Sequence, residues 1–421
     1  MYRLVQRRGI IGLFCLLFVA SSVVPGWAQK DNRFEVSKNL DIFNSLLKEV
    51  EMFYVDSVDV DKTVQRGIEA MLAGLDPYTE YYPEQKTEEL SLMTTGEYGG
   101  IGSLIRQRNN EGGVMIAEPT EGMPADLAGL KPGDLILAID TIDVSKATNS
   151  RVSELLKGVP NTKMVLTIQR PGEKKPRKFE ITRKQITTPQ VTYYGVKNDS
   201  IGYIYLKAFT IKSAQEVKEA FLDLKKNHNI KSLVLDLRGN GGGVLEGAVQ
   251  IVGMFVPKGS EVLSTKGKIK QWDRTYRTST EPLDTVMPLA ILINGGTASA
   301  AEIVSGSLQD MDRAVLVGQR SFGKGLVQAP RDLPYNGKVK ITMSKYYIPS
   351  GRCIQQIDYS HRKEDGSVAA IPDSLTSVFY TSKKRPVRDG GGVRPEFEVK
   401  EPKVPTMMSV SYTHLTLPTI A

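Results

Sequence analysis

The sequence contains few of the residues that usually build cross-links and charge relays. Its 421 residues include only two cysteines and three histidines. Cys15 lies in an N-terminal segment that we expect to be removed, which would leave Cys353 without an intrachain disulfide partner. The histidines are His228, in a polar Lys-Asn-His-Asn turn, His361, beside Arg362 and Lys363, and His414, in the last residues of the chain, and we interpret none of them as the base of a histidine triad. Clusters with metal-ligand spacing are also missing, so we predict no metal and no cofactor.

The basic residues are not strongly concentrated in any one part of the chain. Charged residues make up 24% of the chain, an ordinary value for globular proteins. The formal net charge is +8, and three of the positive charges, Arg3, Arg7 and Arg8, belong to the segment expected to be removed. The basic clusters at 174–178 and 383–385 lack interleaved aromatic residues. We interpret both as solvated loops and predict no nucleic-acid partner.

One long apolar run is present, and it predicts export. The run extends from Gly9 to Val24, follows the three arginines and precedes a small-residue cleavage site at Ala28, which is the pattern of a signal peptide over residues 1–28. We therefore expect an exported protein of the periplasm or cell envelope. The run is slightly shorter than the ~20 residues that span a bilayer. The alternative is an uncleaved anchor that would hold the chain near a membrane.

The last residues do not continue the preceding pattern. Residues 410–421 carry no charge and resemble a translated sequencing adapter, so we exclude them from the fold prediction. We expect natural sequence to continue past Ser409. The alternative is a genuine short tail.

The predicted fold class is multidomain α/β, with a helical N-terminal domain over residues 29–95. Apolar residues recur there at helical spacing, as in Leu40, Phe43 and Leu47, and no chemistry is expected. Ser45 and Lys48 match a Ser-x-x-Lys pattern, but the two residues between them belong to the apolar stripe, and we interpret the match as chance.

Residues 96–184 alternate short β-like stretches with glycine-rich turns. The Ala-Gly-Leu-x-x-Gly-Asp-x-Ile segment at 128–136 closely resembles a PDZ domain, which is β-rich with helices. In that family a glycine-rich loop presents backbone N–H groups to the C-terminal carboxylate of a bound peptide. By this resemblance the loop is Gly99, Gly100 and Ile101. Gly99 and Gly100 alone could also form a simple tight turn.

Residues 185–409 alternate apolar strands with helices, which predicts βαβ units around a buried parallel sheet. Three strands are each followed by a loop rich in glycine or hydroxyl groups, and these loops are 238–243, 294–299 and 319–325. Because the carboxyl ends of parallel strands meet at one edge of a sheet, we expect the loops to converge. Ser299, Lys324 and several glycines would then lie close together.

Ser299 is predicted to begin a helix, where backbone N–H groups are unpaired and the helix dipole favours negative charge. That position suits an attacking serine, because a tetrahedral intermediate carries an oxyanion. The alternative is a capping box with Glu302, in which the serine only caps the helix.

Lys324 is the candidate base, because a lysine that is buried enough to lose its charge can take a serine proton. It lies between two glycines with Phe322 and Leu326 nearby; the alternative is an ordinary surface charge. The segment from Gly318 to Lys324 also fits the start of a phosphate-binding loop. Gly325 replaces the Ser or Thr that such a loop requires, so we predict no nucleotide.

Three motifs together resemble the carboxyl-terminal processing (tail-specific) serine peptidases, a resemblance that extends over residues 34–400. The motifs are Leu-Asp-Leu-Arg-Gly-Asn-Gly-Gly-Gly, Gly-Thr-Ala-Ser-Ala-Ala-Glu-Ile and Phe-Gly-Lys-Gly-Leu-Val-Gln. The resemblance implies Ser299 as nucleophile, Lys324 as general base and Gln328 as a residue that orients the lysine. It also implies an oxyanion hole formed by the backbone N–H groups of Ala300 and of Gly241 or Gly242. Glu302 and Asp310 are implied as acidic residues that support the site.

The resemblance implies an exported endopeptidase that recognises polypeptides by a free C-terminus and cleaves them through a Ser-Lys acyl-enzyme. Members of the family often have serine where this chain has Ala301, a position outside the dyad. The alternative is a catalytically inert, PDZ-type peptide-binding adaptor. The sequence leaves oligomer formation open.

Overall fold

A computed structural model describes residues 33–108, 112–364, 366–400 and 419–420. The predicted signal peptide and most of the proposed adapter segment lie outside these ranges. The chain divides into two compact units, residues 1–68 and 69–421. The first contains helix α1 (Arg33–Phe53) and most of α2 (Val60–Ala73). None of the helices in the described ranges is long and apolar enough to cross a bilayer.

A six-stranded sheet forms the centre of the second unit, and it confirms the predicted α/β architecture. The strand order is β10-β11-β12-β15-β16-β21, and every pairing from β11 onward is parallel. The bounds are β10 (Val191–Lys197), β11 (Ile201–Leu206), β12 (Ser232–Asp236), β15 (Leu289–Ile293), β16 (Val315–Gly318) and β21 (Phe397–Glu398).

Three helices connect these strands and bury their apolar side chains with them. They are α6 (Ser213–Asn227), α7 (Leu245–Gly253) and α8 (Ala300–Asp310). Phe209, Phe221 and Phe255 are among the largest fully buried side chains of this core. Every residue of α8 is buried, so the helix that follows Ser299 is fixed on all sides.

A second, antiparallel sheet contains a strand that the sequence did not predict. Its order is β1-β18-β13-β14, and β17 also pairs with β18. The bounds are β1 (Glu80–Tyr82), β13 (Glu261–Gly267), β14 (Arg274–Arg277), β17 (Leu326–Asp332) and β18 (Lys338–Tyr347). Strand β1 comes from the region predicted as helical, and Glu80 pairs with Lys340 in the register. The region before the β-rich domain is therefore partly built into the core.

The β-rich domain follows helix α3 (Thr87–Thr95) and has its own apolar core, which includes Ile105, Ile116 and Leu166. Its main sheet has the order β22-β3-β4-β5-β7-β8, with β6 paired to β5. The bounds are β3 (Ser103–Gln107), β4 (Val114–Pro119), β5 (Leu135–Ile139), β6 (Ile142–Asp143), β7 (Lys163–Gln169), β8 (Arg177–Thr182) and β22 (Thr419–Ile420), with helices α4 (Pro124–Leu127) and α5 (Asn149–Leu156).

Two smaller pairings complete the architecture. Strands β2 (Glu97–Gly100) and β9 (Lys184–Thr187) form a ribbon where the chain enters and leaves the β-rich domain. Strands β19 (Val378–Tyr380) and β20 (Pro386–Arg388) form a separate hairpin.

A buried ion pair fixes the carboxyl end of α8. Asp310 Oδ1 accepts a hydrogen bond from Arg352 Nη2 at 2.8 Å, and both side chains are almost fully buried. Arg352 also donates to Gln309 Oε1 at 2.7 Å, and the Ser350 N–H donates to Asp310 Oδ2 at 3.0 Å. Removing one member of a buried pair leaves the other charge uncompensated.

We therefore expect Asp310→Asn to lower the free energy of unfolding by about 3–5 kcal/mol, because Arg352 would remain buried without its counter-charge. Urea denaturation of the parent and the variant measures this loss. Glu180→Gln, which breaks the exposed pair with Lys163, is the matched control and should change stability little. Equal effects of the two substitutions would contradict a structural role for the Asp310 pair.

Candidate active site

Backbone hydrogen bonds join the three loops at the carboxyl edge of the parallel sheet. The Ala298 N–H donates to Asn240 O at 2.9 Å, which ties the second loop to the first. The Phe322 N–H donates to Thr297 O at 2.9 Å and ties the third loop to the second. The convergence expected from parallel strands is present.

Ser299 lies at the turn between its loop and α8 in a strained backbone conformation. Its φ of 54° and ψ of −117° lie in a region that residues other than glycine rarely adopt. Such a conformation costs on the order of 1–3 kcal/mol and persists where the surrounding contacts over-determine it, often at functional sites. The next residue, Ala300, begins the buried helix.

The Glu302 carboxylate joins the serine turn to the lysine loop. It is fully buried and accepts four hydrogen bonds. Oε2 accepts the backbone N–H groups of Ser299 at 2.8 Å and of Lys324 at 2.9 Å. Oε1 accepts the Gly323 N–H at 2.7 Å and the Ser321 hydroxyl at 2.5 Å. Burial raises the pKa of Glu302 to about 7, against the opposing effect of these donors.

The two predicted dyad residues are thus neighbours through their backbones. Because both N–H groups reach the same carboxylate oxygen, the two nitrogens are closer together than the sum of the two hydrogen-bond lengths. The Glu302 half of the expected capping box is present as well. Glu302 accepts the Ser299 backbone N–H and does not engage its hydroxyl. Capping by Glu302 is therefore compatible with a reactive Ser299 side chain.

The Lys324 amine lies in a largely dry environment. Burial, assisted by the positive charge of Lys340, lowers the pKa of Lys324 to about 8. Its Nζ lies over the ring of Tyr78, 4.2 Å from the ring centroid. Within the described ranges, Nζ makes no hydrogen bond to Ser299 Oγ in this conformation of the two side chains.

Gln328 is close in sequence but has another partner. It lies on β17, where its Nε2 donates to Thr342 Oγ1 at 3.0 Å. The predicted role in orienting Lys324 remains a prediction.

The glycine loop lies directly against the serine. A Cβ added at Gly242 would lie 2.8 Å from Ser299 Cβ and 2.9 Å from Ala300 N, and its φ is +94°. Only glycine fits this close approach. The Gly242 N–H already donates to Asn240 Oδ1 at 2.9 Å. The N–H groups of Gly241 and Ala300 have no hydrogen-bond acceptor within the described part of the chain.

Two other buried side chains shape the site and were not singled out from the sequence. Asn240 also donates to Leu206 O at 2.8 Å, so one amide fixes both sides of the glycine turn. Ser321 donates to Glu302 and accepts the Val393 N–H at 2.6 Å. The glycines around Asn240 could have pointed to its role in the turn. Ser321 could not be found in this way, because its partners Glu302 and Val393 are remote from it in sequence. Asp310 contacts Arg352 at the far end of α8 and touches neither Ser299 nor Lys324.

Two of the three residues predicted to form the peptide-binding loop lie in a strand. Gly99 and Gly100 are paired with β9 in strand β2, and the turn consists of Ile101 and Gly102. Gly102 has a φ of +68°, and a Cβ there would lie 2.4 Å from Met123 Cβ. Within the described ranges, no acceptor is recorded for the N–H groups of Ile101 and Gly102. These two groups are the ones that could meet a carboxylate.

One edge of the main sheet in the β-rich domain is paired with two residues of the segment that we exclude from the fold prediction. Residues Thr419–Ile420 pair antiparallel with the edge of β3, opposite Ile105 and Leu104, and lie against α5. An extended segment in this position follows the strand-addition mode of peptide recognition.

Comparison with known proteins places these features in a family. Residues 200–360 match peptidase family S41, and residues 115–170 match the PDZ domain. A carboxy-terminal-processing protease of Bartonella bacilliformis is 36% identical over 345 residues, covering 81% of this chain and 77% of the relative. A probable CtpA-like serine protease of Staphylococcus aureus (strain COL) is 33% identical, covering 75% of this chain and 62% of the relative.

The solved structure of a photosystem II D1 C-terminal processing protease is similar to 86% of this chain, covering 88% of its own length, with 26% identity and a TM-score of 0.44. The chain belongs to peptidase family S41, a family of serine-type peptidases, and it carries a PDZ domain. Within the family its relatives include the carboxy-terminal-processing proteases.

We expect Glu302→Gln to destabilise the protein, because the amide nitrogen would face two donors that the carboxylate now satisfies. Each buried group left without a partner costs about 1–3 kcal/mol, so the free energy of unfolding should fall by about 2–4 kcal/mol in urea denaturation. Glu246→Gln is the control, since Glu246 also lies in the first turn of a helix but is exposed. A loss no larger than that of the control would contradict the central role of Glu302.

Proposed function

We propose that this protein is an exported endopeptidase that recognises polypeptides by their C-terminal tails and cleaves them with Ser299 as nucleophile and Lys324 as base. The observation that carries the proposal is the shared Glu302 carboxylate, which holds the backbones of Ser299 and Lys324 on one oxygen atom. Export is proposed from the leader pattern of the sequence. Membership of family S41 supports a peptidase.

The first step is proton transfer. A base of pKa near 8 has a useful neutral fraction near neutral pH, and it is strong enough to accept a hydroxyl proton during attack. Neutral Lys324 takes the Ser299 proton as Oγ attacks the peptide carbonyl. The resulting lysine ammonium then protonates the departing amine, and an acyl-enzyme remains. Water, activated by the same amine, releases the acyl product and restores the hydroxyl.

The developing negative charge requires donors close to Oγ. The N–H groups of Ala300 and Gly241 are available, and the first stands at the amino end of α8, where the helix dipole favours an anion. The close packing of Gly242 against Ser299 leaves no room for a side chain. These groups would act as the oxyanion hole.

The β-rich domain supplies the second half of the proposal. A C-terminal segment lying along β3 would direct its carboxylate toward Ile101 and Gly102. The match of residues 115–170 to the PDZ domain supports this binding mode. Recognition of a free carboxylate would select polypeptide tails over internal segments.

The nucleophile and the base are tested by Ser299→Ala and Lys324→Ala in the full chain. We expect each to reduce cleavage of an unstructured polypeptide by more than about 10³-fold, because neither residue can act without the other. Product formation by mass spectrometry is the measurement. Ser305→Ala, farther along α8, is the control and should retain activity. Equal cleavage by the parent and Ser299→Ala would refute the assignment of the nucleophile.

Tail recognition is tested in the same assay with a C-terminally amidated copy of the substrate. Amidation removes the carboxylate, so cleavage should weaken. Undiminished cleavage would count against tail recognition while leaving the dyad intact. An inactive parent that still binds a tail peptide would favour the inert adaptor.

The pKa values give a direction for the pH dependence. Lys324 is active when neutral and has a pKa of about 8, while Glu302, with a pKa of about 7, accepts its donors when ionised. Both groups lose a proton as pH rises, so both reach their active form at higher pH. We therefore expect kcat/KM to rise at least about tenfold from pH 6 to 7 and to level off above about 8. A flat profile over this range, with the fold intact by circular dichroism, would contradict a lysine base.

A further inference from the structure

The aromatic ring beside the candidate base comes from a part of the chain to which the sequence assigned no chemistry. Tyr78 precedes β1 and the whole β-rich domain, yet its ring lies 4.2 Å from Lys324 Nζ. An amine held over an aromatic face is shielded from water on that side and attracted when it is charged. Tyr78 and Phe322 also line a cavity of about 220 Å³ next to the Ser321–Gly323 segment.

A local turn fixes the position of Tyr78. Asp76 Oδ1 accepts the backbone N–H groups of Tyr78 and Thr79, both at 2.8 Å. Asp76 Oδ2 accepts the Thr79 hydroxyl at 3.0 Å. This is the side-chain-to-backbone turn that aspartate favours. Asp76 and Thr79 are buried, so the two ends of the turn hold the position of the tyrosine between them.

The ring is also supported on its outer side. Tyr359 packs edge-on against Tyr78 with ring centroids 6.0 Å apart and an angle of 89°. Burial, the largest influence, and the neighbouring Tyr359 raise the pKa of Tyr78 above its ordinary value. Tyr78 is therefore protonated at any pH at which the enzyme would work.

Several long-range contacts attach this turn to the core. The Thr342 N–H donates to Thr79 Oγ1 at 3.2 Å. Arg362 donates to the carbonyl oxygens of Ala73 and Leu75, both at 3.2 Å. The pairing of β1 with β18 continues this attachment. The ring thus belongs to the catalytic core, although the chain reaches it before entering the β-rich domain.

We propose that Tyr78 is a positioning residue for the reaction, whose ring forms the wall that keeps the Lys324 amine dry and within reach of Ser299. The role rests on the proposed function, because it acts through Lys324. The ring packs edge-on against Tyr359, and its face is the part that acts on the amine.

The charges facing Lys324 do not by themselves account for its lowered pKa. Lys340 lowers the pKa of Lys324, whereas Asp76, Glu80 and Glu302 raise it. The largest influence is burial, and the ring of Tyr78 is the aromatic surface nearest to the amine. Removing the ring would end its attraction for the charged amine, which lowers the pKa, and would admit water, which raises it. Because burial is the largest influence on this pKa, we expect the second effect to prevail and the pKa of Lys324 to rise toward its ordinary value.

The first test measures Lys324 without relying on activity. The full chain carrying Ser299→Ala is labelled with acetic anhydride over a range of pH, and acetylation of Lys324 is followed by mass spectrometry. We expect a midpoint near 8 that Tyr78→Phe leaves in place. Tyr78→Ala should move the midpoint upward by about half a pH unit or more. Tyr335→Ala, at an almost fully exposed tyrosine, is the matched control.

The second test measures turnover in the chain with Ser299 present. Tyr78→Ala should lower kcat about tenfold or more with KM within about twofold, since misplacement of a base affects the chemical step more than binding. Tyr78→Phe should keep most of the activity. If Tyr78→Ala fails to fold, Tyr78→Leu, which keeps apolar bulk without a flat ring, should lower kcat in the same direction.

The outcomes separate this proposal from the proposed function. An unchanged midpoint and unchanged kcat in Tyr78→Ala or Tyr78→Leu would overturn the role of Tyr78. A loss in Tyr78→Phe as large as in Tyr78→Ala would also overturn it, because the hydroxyl would then be the acting group. A shifted midpoint combined with full cleavage by Ser299→Ala would refute the nucleophile but leave the Tyr78–Lys324 contact established.

Discussion

The active-site architecture depends on one buried carboxylate. Glu302 has no exposure to solvent, a situation that is costly for an ionisable group unless its oxygens are well satisfied. It meets that condition with four donors drawn from two separate loops. One oxygen accepts both the Ser299 and the Lys324 N–H groups. The same interaction that makes Glu302 tolerable in the core therefore aligns the candidate nucleophile with the candidate base.

Two further constraints act on the same few residues. The parallel sheet brings three loops to one edge, and the glycine loop then packs so closely on Ser299 that Gly242 has no space for a Cβ. The strained backbone of Ser299 is held between that loop and a fully buried helix. Strain of this kind survives only where neighbouring contacts leave no alternative. The site is stabilised by packing around it, so its parts are rigid before any substrate arrives.

The features that could be predicted from the sequence are those set by local residue patterns and by the direction of the strands. Buried strands followed by glycine-rich loops gave the convergence of Ser299 and Lys324, and the Ser-x-x-Glu spacing gave the bond between Ser299 and Glu302. The sequence did not predict β1 or the contact of Tyr78 with Lys324, because pairings between remote segments leave no periodic signal. The resemblance, and not the spacing, suggested Gly99, Gly100 and Ile101 as the peptide-binding loop, and these residues remain a prediction. The same holds for Gln328, whose amide bonds to Thr342.

The position of Tyr78 also bears on how the two halves of the protein are connected. The chain contributes β1 to the core, leaves for the β-rich domain through β2, and returns through β9, which pairs with β2. Glu97 on β2 forms an ion pair with Lys212 of the core, which ties the base of this ribbon. The segment that holds Tyr78 is thus fixed in the core by its own contacts and does not depend on the β-rich domain for its position.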